Sequence, residues 1–182
     1  MRWRFLSTIL ILVVAISCKK AITLQTAKVV STKVGTLPIT GLFMENDTIG
    51  FACSGTSDTE GRIFKLGTSW EQKYYTDRVG FTSITVAPSG KMYAGGDFTH
   101  LFVSTDGGET WSLDWMGTDE LPTHEHNRVS IDQFDFANDS VGFFVGGDRY
   151  EHGHIYRTGD NGLTWDFDTL RKSINSVSHL SG

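Results

Sequence analysis

Ser104-Thr105-Asp106-Gly107-Gly108-Glu109-Thr110-Trp111 is the stretch that decides the fold. It returns as Thr158-Gly159-Asp160-Asn161-Gly162-Leu163-Thr164-Trp165. A worn third copy, Lys65-Leu66-Gly67-Thr68-Ser69-Trp70, lacks the aspartate. Asp, Asn, Gly and Thr between apolar runs are turn chemistry. Gly supplies positive φ, and a short carboxylate or amide accepts backbone N–H groups two or three residues on. Asp106 and Asp160 can each take up amide hydrogens inside a hairpin loop. The trailing Trp111 and Trp165 open the outgoing strand and bring a large aromatic area for burial. The incoming strands are Leu101-Phe102-Val103 and Ile155-Tyr156-Arg157, with Ile63-Phe64-Lys65 in the worn copy. Each copy reads as strand, tight turn, strand: a β-hairpin.

The pattern resembles the Asp-box, or BNR, repeat, Ser-x-Asp-x-Gly-x-Thr-Trp. Ser104, Asp106, Gly108, Thr110 and Trp111 match every defined position. Asp160, Gly162, Thr164 and Trp165 match with Thr158 in place of Ser, and the worn copy contributes Trp70. Such repeats occur in β-propellers of the sialidase, sortilin and photosystem-II-stability-factor kinds. The resemblance implies a fold and not a chemistry, because the motif is a folding device in all of them.

A second signature repeats independently. Asn46-Asp47-Thr48-Ile49-Gly50-Phe51 returns as Asn138-Asp139-Ser140-Val141-Gly142-Phe143, and Gly95-Gly96-Asp97 returns as Gly146-Gly147-Asp148. Opening strands are expected at Ile39-Thr40-Gly41-Leu42-Phe43, at Phe81-Thr82-Ser83-Ile84-Thr85-Val86 and at Ile131-Asp132-Gln133-Phe134-Asp135-Phe136. Each unit then holds an opening strand, a Gly-ended strand, a hairpin strand and a Trp strand. Trp70 to Trp111 is 41 residues, which fits one four-stranded propeller blade, and Trp111 to Trp165 is 54. The expected fold is all-β, a partial β-propeller of about three four-stranded antiparallel blades at 37–76, 77–117 and 129–170. A fourth unit begins at 174, with Ile174-Asn175-Ser176-Val177.

The chain has 182 residues, 20 glycines and only 3 prolines, enough for one domain with a core. Its formal charge is -5, and -7 without Arg2 and Arg4. No run of basic residues is present, which argues against nucleic acid as a partner.

Met1-Arg2-Trp3-Arg4 is a short basic start, and residues 5–16 are apolar apart from Ser7 and Thr8. That is a secretory leader at 1–17, too short to span a bilayer as a helix. Ala15-Ile16-Ser17-Cys18 resembles a bacterial lipobox, with Ala where Leu is usual. The resemblance implies cleavage before Cys18, a diacylglycerol on its sulfur and an acylated new N-terminus, hence a stable anchor in the cell envelope. An ordinary signal peptide with an incidental cysteine is the alternative. Residues 18–36 form a tether, in which 24–34 is a candidate strand of the kind that completes a last blade. The remaining cysteine, Cys53, has no partner once Cys18 is acylated and is expected as a small buried strand residue.

Three blades and one strand do not close a ring, since propellers typically have about four to eight blades. Three expectations follow: a longer parent propeller, a partner chain or oligomer that completes the ring, or an open stack of sheets.

In a four-stranded blade the turn between strands three and four lies on one face of the disc. The turn between strands two and three and the blade-to-blade connection lie on the other. Asp106 and Asp160 therefore sit opposite the usual pocket and read as structural. The other face should carry two unusual loops. One holds His124, Glu125, His126 and Arg128; the second holds Asp148, Arg149, Tyr150, His152 and His154. This group is a candidate surface for a protein or glycan, or for a metal held by His124, His126, His152 and His154. Merely solvated loops are the alternative. No sialidase-type Arg-Ile-Pro occurs, and no pair of carboxylates marks a glycosidase site. No phosphate loop, nucleophile elbow or Cys-x-x-Cys is present, so no cofactor and no catalytic residue is assigned. The expected role is a non-catalytic, membrane-anchored scaffold. The alternative is a fragment or remnant of a sialidase-like glycoside hydrolase.

Overall fold

The computed structural model describes residues 37–115, 129–147, 153–170 and 177–178. Among these residues, twelve strands form three four-stranded antiparallel sheets, each a simple meander. Blade one holds β1 (Ile39–Met44), β2 (Gly50–Thr56), β3 (Glu60–Leu66) and β4 (Trp70–Thr76). Blade two holds β5 (Phe81–Val86), β6 (Met92–Gly96), β7 (His100–Ser104) and β8 (Ser112–Trp115), with a single 3-10 turn, η1 (Asp97–Thr99), between β6 and β7. Blade three holds β9 (Gln133–Phe136), β10 (Gly142–Gly147), β11 (Gly153–Thr158) and β12 (Asp166–Leu170). The chain is a partial β-propeller of three blades. The leader expected at 1–17, Cys18 and the candidate strand at 24–34 lie outside the described residues.

The turns follow from their residues. Asn46 Oδ1 accepts from the backbone N–H groups of Thr48 and Ile49, both at 2.9 Å, and closes the β1–β2 hairpin. Asn138 Oδ1 does the same for Ser140 and Val141 in blade three, at 2.9 and 2.8 Å. The repeated Asn-Asp-(Thr/Ser) signature is therefore a side-chain-closed turn. The sequence expectation placed Asp132 inside the third opening strand. The ladder starts one residue later, at Gln133, because Asp132 N–H bonds the Val145 carbonyl outside the regular β9 pairing.

Side chains alternate across each sheet, so every inner strand has a face for each neighbouring blade. Ile84, Met92, Ala94 and Phe102 of blade two pack on Phe51, Cys53 and Ile63 of blade one. Tyr93 and Leu101, on the other face of blade two, pack on Phe134, Phe136 and Phe144 of blade three. The core is thus two apolar seams between three sheets. Cys53 is fully buried in the first seam, as its surroundings in sequence predicted.

A side-chain stitch runs along the heads of the blades. The registers of β1 and β5 each slip at the same place, leaving Thr40 and Thr82 as the extra residues of two bulges. A bulge re-aims its side chain. Thr40 Oγ1 donates to the Phe81 carbonyl at 2.6 Å, and Thr82 Oγ1 donates to the Ile131 carbonyl at 2.6 Å. Gln133 Nε2 continues the series by donating to the Val177 carbonyl at 2.8 Å.

Candidate functional site

The two faces of the partial disc differ in what their polar groups have left to offer. On one face lie the 104–111 and 158–165 turns. Asp106 Oδ1 accepts from Ser104 Oγ (2.8 Å), Glu109 N–H (3.0 Å) and Thr110 N–H (2.9 Å), and Oδ2 accepts from Thr110 Oγ1 at 2.5 Å. Asp160 repeats the set with Thr158 Oγ1 (2.8 Å), Leu163 N–H (3.1 Å), Thr164 N–H (2.9 Å) and Thr164 Oγ1 (2.6 Å). Hydrogen bonds to the charged form favour it. Those from the Thr110 hydroxyl and amide, then Ser104, hold the Asp106 carboxyl far below the usual range. The equivalent bonds bring Asp160 to about 2. Carboxylates saturated by their own turn are permanent anions inside a hairpin, unsuited to proton transfer at neutral pH.

The turns also lock each blade to the one before it. Gly108 takes φ +82 and lies over the Phe51 ring, where an added Cβ would come within 2.6 Å. Gly162 takes φ +69 and lies over Tyr93 in the same way. Trp165 meets Tyr93 edge-on, with ring centroids 6.2 Å apart, and Trp111 is buried in the seam that holds Phe51. Lys65 donates to the Gly107 carbonyl at 2.8 Å, and Lys91 to the equivalent Asn161 carbonyl at 3.2 Å. The worn copy is a shorter turn, closed by Gly67 N–H on the Ser69 carbonyl, and its Trp70 is only half-buried.

The opposite face is built differently. At the junction of blades two and three, Gly95 and Gly96 end β6 against Ile131 and Val79, with room for no Cβ. The chain then turns through η1, where Phe98 (φ 57, ψ 34) and Thr99 (φ 56) both adopt left-handed backbone. For residues other than Gly this costs on the order of 1–2 kcal/mol each. Thr99 N–H is held by the Val129 carbonyl at 2.7 Å, and His100 Nδ1 donates to the Asp97 carbonyl at 2.8 Å. Strain maintained in this way is a recurrent feature of functional loops.

Two carboxylates flank that turn. Asp97 is largely buried, and its N–H bonds the Gly80 carbonyl at 3.0 Å. Asp132 accepts from Ser130 Oγ at 2.5 Å. Burial raises the Asp132 carboxyl above the usual range, the Ser130 bond opposes this, and the negative charge of Asp97 adds to it. Burial likewise raises the Tyr156 phenol, against a hydrogen bond with Thr99. Asp97, Phe98, Thr99, His100, Ser130, Asp132 and Tyr156 therefore form a strained, polar rim across one blade junction.

His124, Glu125, His126 and Arg128, and Asp148, Arg149, Tyr150 and His152, lie outside the described residues. The ends of their segments are described: Trp115 pairs with His100, and Gly147 pairs with Gly153. His154, expected in a loop, is a β11 residue opposite Gly146, and it is buried with Nδ1 3.4 Å from Thr169 Oγ1. The Gly-Gly spacing carries β10 to Gly147 and the pairing then recruits 153 and 154. Among the described residues no three His, Cys, Asp or Glu side chains gather as a metal site. Sequence reading did not single out Asp132, Phe98 and Thr99 as candidate site residues. Gly95-Gly96-Asp97 was the available signal, read only as the end of a strand.

No protein-family model and no curated protein matches this sequence. Solved structures do. YCF48 bound to a D1 peptide aligns with a TM-score of 0.53 at 19% identity, over 72% of this chain and 40% of that one. YCF48 from Cyanidioschyzon merolae aligns at 0.52 and 14% identity, over 71% and 40%. An ancestral GH74 enzyme aligns at 0.54 and 19% identity, over 72% and 20%. This chain thus spans less than half the length of each. At such identities the likeness is one of fold, and these folds support the propeller.

Proposed function

We propose that this chain is an exported Asp-box propeller scaffold, anchored in the cell envelope by a lipid on Cys18, that binds a polypeptide partner through its loop face. The observation that carries the binding reading is the left-handed pair Phe98 and Thr99, held under strain beside Asp97 and Asp132 at a blade junction. On the Asp-box face the two box carboxylates, Asp106 and Asp160, are spent on their own turns. The solved propeller of YCF48 with a D1 peptide is a precedent, in a different protein, for a peptide ligand on this fold.

The test is site-specific photo-cross-linking in cells. A cross-linking residue at Phe98 or His100 should capture a protein partner, and one at Thr105, on the Asp-box face, should not. Capture from Thr105 alone would reverse the assignment of faces. The anchor is tested separately: Cys18→Ala should abolish lipid labelling and move the protein from the membrane to the soluble fraction.

A further inference from the structure

The repeated Asn-Asp-(Thr/Ser) turns carry two groups that closing the turn does not require. Of the five asparagines in the chain, only Asn46 and Asn138 have a hydroxyl residue two positions on, with no proline between. In each turn the asparagine works through its oxygen. Asn46 Oδ1 takes the N–H groups of Thr48 and Ile49, and Asn138 Oδ1 those of Ser140 and Val141. An aspartate would accept the same bonds. The third residue supplies an N–H, which any residue but proline offers. Thr48 Oγ1 adds a bond to Asn46 Oδ1 at 2.9 Å, and among the described residues the Asn138 turn closes without its counterpart. Blade two closes the equivalent turn around Gly90, at φ +83, with no asparagine. Folding therefore accounts for one side-chain oxygen in each turn, and not for the amide nitrogen together with a hydroxyl two residues on.

Both groups face water. Residues 46–48 and 138–140 are all exposed, and among the described residues neither asparagine Nδ2 donates a hydrogen bond. Asparagine, any residue but proline, then Ser or Thr, on a surface turn of an exported chain is the acceptor pattern for an N-linked glycan. The two turns stand on the Asp-box face, where the Ser140 carbonyl receives the Asn161 N–H at 2.9 Å.

We propose that Asn46 and Asn138 are N-glycosylation sites. Nδ2 attacks the anomeric carbon of an oligosaccharide carried on a lipid pyrophosphate. The new C–N bond forms, and the C–O bond to the pyrophosphate breaks. The lipid pyrophosphate leaves with the electron pair, and the displaced amide proton passes to a base of the transferase. The product keeps Oδ1 as an acceptor and one hydrogen on the nitrogen, so both turns close as before. The modification rests on the export proposed for this chain. Glycans at these positions cover the Asp-box face and leave the rim of Phe98 and Thr99 open to a polypeptide.

The full chain, purified from fractionated cells of its own source, tests this by peptide mass spectrometry. A saccharide mass is expected on Asn46 and on Asn138, and an amidase that cuts the glycan–asparagine bond should leave aspartate at each. Two variants separate the modification from the turn. Asn46→Asp keeps the turn acceptor and lacks the nitrogen, while Thr48→Val keeps the asparagine and lacks the hydroxyl. Each should fold by circular dichroism, lose the saccharide at position 46 and retain it at Asn138. Unmodified wild type in the envelope fraction overturns this proposal alone. Unmodified wild type in the cytosol overturns the export reading with it. A saccharide found on the Thr48 or Ser140 oxygen, or one at Asn46 that survives Thr48→Val, also overturns the assignment.

Discussion

Gly162 lies against the hydroxyl of Tyr93, a residue of the neighbouring blade, so closely that a Cβ would approach the oxygen to 2.6 Å. Gly108 stands in the same relation to Phe51. The defined glycine of each turn is thus as much a packing residue between blades as a conformational one within a hairpin.

Adjacent glycines separate these two roles. Gly107 has φ +72 and open space where a methyl would go, while Gly108 has φ +82 and the Phe51 ring in the way. Gly107→Ala should cost only the left-handed backbone, on the order of 1–2 kcal/mol. Gly108→Ala should cost more, by a further ~1–3 kcal/mol of overpacking. Urea denaturation of both variants checks the difference. Equal losses would place the requirement in the turn alone.

Tyr93 donates to the Asn161 carbonyl at 2.8 Å from the buried centre of the second seam. Tyr93→Phe leaves the ring and removes that bond, with an expected loss of about 1 kcal/mol. Phe51 shows that the position itself accepts phenylalanine, because Lys65 serves the turn carbonyl there. A loss of several kcal/mol would mean that the ring had moved.

The saturated carboxylates predict an acid response. Asp160 is lowered from its ordinary 3.8 to about 2 in the folded protein. A group whose folded pKa is depressed stabilises above its unfolded value, and that contribution fades as pH falls toward the folded value. Asp160→Ala should therefore be less stable than wild type at neutral pH. The gap should narrow as pH falls from about 4 to about 2. Thermal melts across this range measure it. A gap independent of pH would show that the lost stability is steric.

Cys53 should be chemically silent. Burial pushes its thiol up to about 12, against the lowering pull of its hydrogen bond with Thr40. The thiolate is the reactive species, so alkylation at pH 8 should leave Cys53 unlabelled in the native protein and label it fully in denaturant. Peptide mass spectrometry distinguishes it from Cys18. Rapid native labelling would mean that the first seam opens.

Much of this architecture was legible because its signals are local. A Ser-x-Asp-x-Gly-x-Thr-Trp turn closes on itself, as does Asn46 on Thr48 and Ile49, so the residues that make each bond lie within a few positions of one another. The loop-face site was less legible because it is assembled from afar. Asp97 and Asp132 belong to different blades, and nothing in the letters around Phe98 and Thr99 requires left-handed backbone; that conformation is imposed by contacts such as the Val129 carbonyl. Alternation also misled at Asp132 and His154, where apolar-polar spacing continued past or stopped short of the true ladder.

The stitches at the blade heads bear on synthesis. Thr40 finds its acceptor in Phe81, and Thr82 finds its own in Ile131, each on a later sheet. As the chain leaves the ribosome N-terminus first, no sheet can seal its inner edge until the start of the following one has emerged. Maturation therefore trails translation by roughly one repeat, and a pause just before residue 81 or 131 would leave the preceding bulge threonine waiting in water.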